Sequence, residues 1–271
     1  MQPDGVLVAD PGVFYYLKEN APELNRFVST QANVCSSQTV KFWQSMGAKL
    51  CVLGREVTFA EMQEIRKECP DILLETFVHG AMCMSYSGRC LISNYLADRS
   101  ANKGKCAHCC RWHYKLHIRL KDGTIKDLEI NENNKDAFEF LLEEDFRPGE
   151  YYEIVEDEHG GYMLNSKDMC LMPRLNQILG IGMDSLKVEG RNKTEYYAGT
   201  VARAYRQAID DYYKSPDDWD YKKYMFDLQT LQNRGYCLGF HDGKLTDISQ
   251  NYEYTRTMGE WLFAGSIVEW Q

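Results

Sequence analysis

Short apolar runs alternate with amphipathic stretches through the first third of the chain. Gly5-Val-Leu-Val-Ala-Asp10, Phe27-Val-Ser-Thr-Gln31, Leu50-Cys-Val-Leu53 and Ile72-Leu-Leu-Glu-Thr-Phe-Val78 each read as a buried parallel strand. Between them the pattern predicts helices over 12–20, 37–46 and 58–68, opened by Ser or Thr caps and closed by Pro or Gly. This is a β-α repeat.

The rhythm breaks over 81–160, where a Cys-rich loop, a basic stretch and the polar segment Asn131-Glu-Asn-Asn-Lys-Asp136 read as an insertion. It resumes over 161–214. There 162–164 and Asp184-Ser-Leu-Lys-Val-Glu189 read as strands and 173–179 as a helix. A long helix over 195–213 places Ala198, Val201, Ala202, Tyr205 and Ile209 on one face. The segment 215–271 is aromatic-rich and poorly periodic, and reads as a docking segment.

Five or six strands fall short of the roughly eight that a closed barrel of the triosephosphate isomerase type needs. The expected fold class is therefore α/β, a partial TIM-type (β/α) barrel with a Cys-rich insertion and an aromatic C-terminal segment. The division is 1–80, first β-α units; 81–160, Cys-rich basic loop and insertion; 161–214, last β-α units; and 215–271, docking segment. With a strand almost at Met1 and no helix before it, an apolar sheet edge is left exposed unless a partner chain or an N-terminal segment covers it.

The 271 residues, 44% of them hydrophobic, suffice for one sizeable core. A net charge of -9 repels nucleic acid overall, so any RNA contact is local. No apolar run is long enough for a membrane span and no leader pattern opens the chain, which predicts a cytoplasmic protein without membrane contact. Ten cysteines in a chain this long, with clear helical and strand patterns, fit reduced thiols, several of them metal-bound.

The densest signal is Glu75-Thr-Phe-Val-His-Gly-Ala-Met-Cys83-Met-Ser-Tyr-Ser-Gly-Arg-Cys90, followed by Lys105-Cys106-Ala-His-Cys109-Cys110-Arg-Trp112. Thiolates are soft ligands suited to zinc or iron-sulfur clusters, and Gly80, Gly88 and Gly104 let the backbone bend around a bulky ligand. The spacing matches no common zinc ribbon.

That motif resembles the signature of the collagenase-like peptidase family. Ser29-Thr-Gln-Ala-Asn33, Arg147-Pro-Gly-Glu150, Asn165-Ser-Lys-Asp168, Lys187-Val-Glu-Gly-Arg191, Tyr205-Arg-Gln-Ala-Ile209 and Gln250-Asn-Tyr-Glu253 extend the resemblance along the chain. It implies a TIM-like barrel, a 4Fe-4S cluster and hydroxylation of a tRNA wobble uridine, a ribosomal cytidine or a ubiquinone precursor, with dependence on prephenate in some members. By motif, Cys83, Cys90 and Cys106 are implied as metal ligands and Cys170 as the fourth, with Cys110 as its competitor. The resemblance also implies further β-α units before Met1 and, in many members, a domain beyond Gln271, so the chain reads as a fragment, a mis-called start or one half of a split protein.

Cys35, Cys51, Cys69 and Cys237 read as packed thiols, and Cys109 as a bystander. Glu75 and His79, four apart on a strand, are expected to face one side at its C-terminal end, where barrel active sites lie. Lys187 and Glu189 share a face in the same way. Acid-base work is one reading of these four, and structural ion pairing or a backbone-satisfied histidine the other.

Arg89 and Arg111, with Lys187, are candidate anion contacts for a phosphate or a prephenate-like dicarboxylate. They belong to a basic island over 81–126 that also holds Arg99, Lys103, Lys105, Lys115, Arg119, Lys121 and Lys126, interleaved with Tyr86, Tyr95, Trp112 and Tyr114. Such an island holds RNA phosphates and stacks a splayed base, or is a solvated face.

The peptidase alternative lacks a Gly-x-Ser-x-Gly elbow and a His-Glu-x-x-His pair, and rests on Cys83 near His79 imitating a thiol-protease dyad. A third reading is a non-catalytic scaffold with a structural metal.

Overall fold

In the computed structural model the described residues are 3–83, 85–103, 105–111, 117–119, 125–127, 140–143, 151–157, 160–162, 166–191 and 193–243. Three β-α steps and a fourth strand open the chain: β1 (Gly5–Val8), α1 (Pro11–Asn20), β2 (Asn25–Val28), α2 (Ser37–Ser45), β3 (Leu50–Val52), α3 (Phe59–Glu68) and β4 (Leu73–Ala81). Each helix begins where a side-chain oxygen takes up a free amide: Asp10 accepts from Val13, Ser36 from Thr39, and Thr58 from Glu61 in a full capping box. Strand β2 starts and ends earlier than its apolar run suggests, because the chain turns through a short 3-10 segment at Thr30–Ala32.

The strands pair in parallel in sequence order, and β11 (Ser185–Glu189) adds to the far side of β4. One face carries the helices. Val8, Val28, Cys51 and Leu74 share a core with Phe14 of α1, Trp43 of α2 and Met62 and Ile65 of α3. On the other face the register lines up Leu7, Phe27, Leu50 and Leu73 in one transverse row. Leu7 is 50% and Leu73 48% exposed, so this row is open. Helices on one face of a sequentially ordered parallel sheet is the winding of a barrel wall, yet among the described residues no pairing joins β1 to β11. The α/β class stands, and the described part is an open sheet.

Two departures from simple β-α order shape the site. Strand β10 (Asp168–Cys170) runs antiparallel to the end of β4, setting Cys170 opposite His79, and β12 (Tyr236–Cys237) pairs with β10 in parallel. The ladder between β4 and β11 also shifts register: Lys187 lies opposite Phe77 and Val188 opposite His79, so Val78 is skipped as a β-bulge.

Between β4 and β10 come α4 (Ile92–Ala97), the pair β5 (His117–Arg119) and β6 (Ile125–Asp127), and the antiparallel set β7 (Phe140–Glu143), β8 (Tyr151–Asp157) and β9 (Gly160–Tyr162). These small sheets occupy the stretch expected to be an insertion; the polar segment 131–136 lies outside the described residues. After them α5 (Leu175–Ile181) and the twenty-residue α6 (Glu195–Lys214) return the chain to the core. A further helix, α7 (Lys222–Gln229), lies within the aperiodic tail.

Candidate functional site: a thiol-lined cavity

The cavity lies beyond the C-terminal ends of β3, β4 and β11. Its volume is ≈ 120 Å³, and Cys83, Cys90, Cys106, Cys110, Arg55 and Glu189 line it. Backbone and polar contacts hold the walls. Glu56 accepts from Asn33 Nδ2 at 2.6 Å, from the Ser87 amide at 3.1 Å and from Ser87 Oγ at 3.0 Å, which clamps the 85–88 turn to the sheet. Gly88 sits at φ +75°, and a Cβ there would stand 1.9 Å from the Gln31 carbonyl oxygen, so only glycine fits this crossing. Behind the second pair of thiols, Ala107 donates to Ser93 Oγ at 2.9 Å and the His108 amide to Cys106 Sγ at 3.3 Å.

Two arginines bring charge to this space. Arg55, just past β3, approaches Cys83 Sγ with Nη1 at 3.6 Å and Glu189 with Nη2 at 3.6 Å, and its guanidinium stacks on Phe77 at 3.7 Å from the ring centroid. Arg191 donates from Nη2 to the Cys106 carbonyl at 3.3 Å and from its amide to Glu189 Oε1 at 3.3 Å. The sequence reading missed both as site residues. The available signals were the position of Arg55 at the C-terminal end of a parallel strand and that of Arg191 at the end of the Lys187-Val-Glu-Gly-Arg191 motif.

Further down the same sheet face, Glu75 accepts from Lys187 Nζ and from Ser185 Oγ, each at 2.7 Å. Lys187 is thus paired, and Glu189 pairs with Arg55 rather than with Lys187.

His79 does not share the Glu75 face, contrary to the four-residue spacing. Ser185 and Lys187 reach Glu75 from one side of β11, whereas His79 is set opposite Val188, on the other side, because the bulge at Val78 reverses the alternation. His79 is fully buried among Tyr197, Tyr205 and Tyr236, whose ring centroids lie 5.8, 5.6 and 5.3 Å away. Burial pushes its imidazole down to about 4, against a smaller opposing pull from Asp168. The Cys83–His79 dyad is therefore not assembled.

Cys170 sits with that inner cluster. Its thiol lies 3.9 Å from Tyr205 Oη, burial pushes it up to about 11, and it lines a second hollow that also holds Cys237. Of the two candidates for the fourth position, Cys110 shares the cavity with Cys83, Cys90 and Cys106. Cys51 and Cys69 are buried, burial raises Cys51 to about 12, and burial next to Glu56 raises Cys35 to about 12. Cys109 is buried beside the cavity, and its thiol is pushed up by burial and by Cys106.

Arg89 is exposed, as are Arg99, Lys103 and Lys105. The side chains of Arg111, Arg119 and Lys126, and the whole of Trp112, Tyr114, Lys115 and Lys121, lie outside the described residues.

The donor set suits an extended group better than a single ion. Among the described residues no three of His, Cys, Asp and Glu converge to hold one metal ion, as tetrahedral zinc with sulfur at about 2.3 Å demands. Four thiols line one cavity, with an amide donating to one sulfur and a guanidinium beside another, and thiolates are the ligand type that iron-sulfur clusters take.

The sequence profile of peptidase family U32 matches residues 1–251. The chain belongs to peptidase family U32. Among curated relatives, this U32 chain is 41% identical over 268 residues to "tRNA hydroxylation protein P" of Escherichia coli (strain K12), covering 94% of the chain and 58% of the relative. It is 33% identical over 273 residues to the protein of the same name in Helicobacter pylori (strain J99), covering 99% and 58%. It is 28% identical over 259 residues to "Collagenase" of Porphyromonas gingivalis (strain W83), covering 90% and 53%. The U32 chain thus spans little more than half the length of these relatives. Among its described residues no helix is long and apolar enough to cross a membrane.

Proposed function

We propose that this U32 chain is the thiol-bearing part of an iron-sulfur tRNA hydroxylase that adds an oxygen atom to the wobble uridine, with prephenate as a co-substrate. The observation that carries the reading is the gathering of Cys83, Cys90, Cys106 and Cys110 around one cavity, in a chain whose relatives bear the name tRNA hydroxylation protein. Cys83, Cys90 and Cys106 hold three corners of a 4Fe-4S cluster. Cys110 or Cys170, each in a motif of the family resemblance, holds the fourth, and the shared cavity favours Cys110. When bound, the cluster supplies one-electron redox chemistry.

The protein's own part is to bind and orient. Tyr86 at the cavity and Tyr95 on α4 are 70% and 88% exposed, and Arg89, Arg99, Lys103 and Lys105 in the same stretch of chain are exposed as well. Exposed rings amid cations suit stacking of an unpaired base while the cations hold its phosphates. The 85–88 turn that carries Tyr86 is fixed by Glu56, so the ring is presented without a large ordering cost. The row Leu7, Phe27, Leu50 and Leu73 fits the inner wall of a barrel completed by further units or a partner chain, which supports reading the described sheet as part of a TIM-type barrel.

The test is anaerobic purification with iron and sulfide analysis, together with nucleoside mass spectrometry of tRNA from cells that carry or lack the gene. About four irons per chain and loss of hydroxylated uridine on deletion support the reading. A chain that binds no iron, or unchanged tRNA in the deletion, overturns it. Hydrolysis of denatured collagen by the metal-free chain, abolished by Cys83→Ala, would instead favour the peptidase reading.

A further inference from the structure

Arg55 is buried more deeply than its neutralisation warrants. Its side chain is 10% exposed, and its one ion pair among the described residues, to Glu189, is long at 3.6 Å. The Nε atom has no hydrogen-bond partner among the described residues. A buried guanidinium normally recovers its lost hydration through short, bidentate contacts. Here that positive charge is instead stacked flat on Phe77 and turned toward Cys83 Sγ. The arrangement leaves part of the cation's field directed into the thiol-lined cavity.

The three contacts also join three strands. Arg55 follows β3, Cys83 and Phe77 belong to β4 and its exit, and Glu189 ends β11. The guanidinium thus fixes Cys83 relative to the sheet, and Glu189 fixes the guanidinium.

We propose that Arg55 is a positioning residue that holds the Cys83 sulfur and sets the reduction potential of the group bound through it, with Glu189 as its counter-ion. This rests on the reading of the cavity as a cluster site. A fixed cation beside a cluster stabilises the reduced form, which carries one more negative charge, and so raises the potential. The carboxylate behind the cation partly offsets that effect.

The experiment is a redox titration followed by electron paramagnetic resonance on the full chain after anaerobic cluster assembly. The parent is compared with Arg55→Met, Arg55→Lys and Glu189→Gln. The expected result is a more negative midpoint in Arg55→Met, a more positive one in Glu189→Gln and a near-parental value in Arg55→Lys, at equal iron content. Loss of iron in Arg55→Met with retention in Arg55→Lys also supports the positioning role.

An unchanged midpoint in Arg55→Met overturns the inference while leaving the cluster reading intact. Equal loss of iron from both Arg55 variants, with Glu189→Gln at the parental midpoint, counts against it as well. A parent chain that takes up no iron overturns the cluster reading itself, which is a separate and recognisable failure.

Discussion

Lys187 Nζ lies 2.7 Å from Glu75 Oε1, joining β11 to β4 across a half-buried face of the sheet. Ser185 Oγ holds the second carboxylate oxygen at 2.7 Å, and Phe77 lies 5.7 Å from the ammonium. A pair so satisfied within the sheet is placed to stabilise it. Glu75→Gln and Lys187→Met are each expected to cost about 1–3 kcal/mol, and the double variant less than their sum, by about 1 kcal/mol. Urea denaturation of the four proteins in the cycle checks this. Additive costs would show that the two groups do not act as a pair.

His79 predicts a definite pH dependence. Its folded value, about 4, lies below the ordinary 6.5, so the unfolded chain binds a proton in that window that the native chain does not. Stability from neutral His79 is complete above about 6.5 and is lost as the pH falls to about 4, at most roughly 3 kcal/mol by linkage. His79→Leu should flatten this part of the profile. A remaining slope of the same sign is expected from His241, whose imidazole is also lowered by burial. Thermal unfolding of parent and variant between pH 4 and pH 7.5 would refute the assignment if the two profiles ran parallel.

What was legible in the chain follows from the range of the signals. Strands β1 and β3 and helices α1, α2, α3 and α6 rest on local patterns and caps such as Thr58 with Glu61, and their sequence-based ranges lie within a few residues of the observed ones. Strand β10, three residues long, and α7, without a clean apolar period, owe their form to tertiary partners and could not be read locally. The clustering of Cys83, Cys90 and Cys106 was legible from their spacing after one strand. The facing of Glu75 and His79 was not, because a period of two holds only while the ladder keeps register, and the bulge breaks it.

Gly80 follows that bulge and lies opposite Glu189. Its φ is +109°, and a Cβ there would stand 2.1 Å from the Glu189 carbonyl oxygen, a backbone atom with little freedom to yield. Gly80→Ala is therefore expected to destabilise the chain by about 2 kcal/mol or more, through left-handed strain and steric conflict together. A denaturation midpoint unchanged from the parent would show that the backbone of β11 at Glu189 can yield to the added Cβ.

The fourth thiol can be identified by serine substitution. Cys83→Ser, Cys90→Ser and Cys106→Ser are each expected to lower iron content sharply, because a hydroxyl is a harder and poorer ligand than a thiolate. Cys51→Ser and Cys35→Ser should retain iron, since these thiols are held protonated near 12 and line no part of the cavity. Cys110 and Cys170 then separate two arrangements. If Cys110→Ser loses the cluster and Cys170→Ser keeps it, the cavity as it stands is the whole site. If Cys170→Ser loses it, the end of β10 must approach the cavity in the loaded protein. Cys170 would then have to leave its place against Tyr205. Iron and sulfide analysis with visible absorption on anaerobically purified variants decides between them, and retention of the full cluster in Cys83→Ser would remove the thiol-lined cavity as its seat.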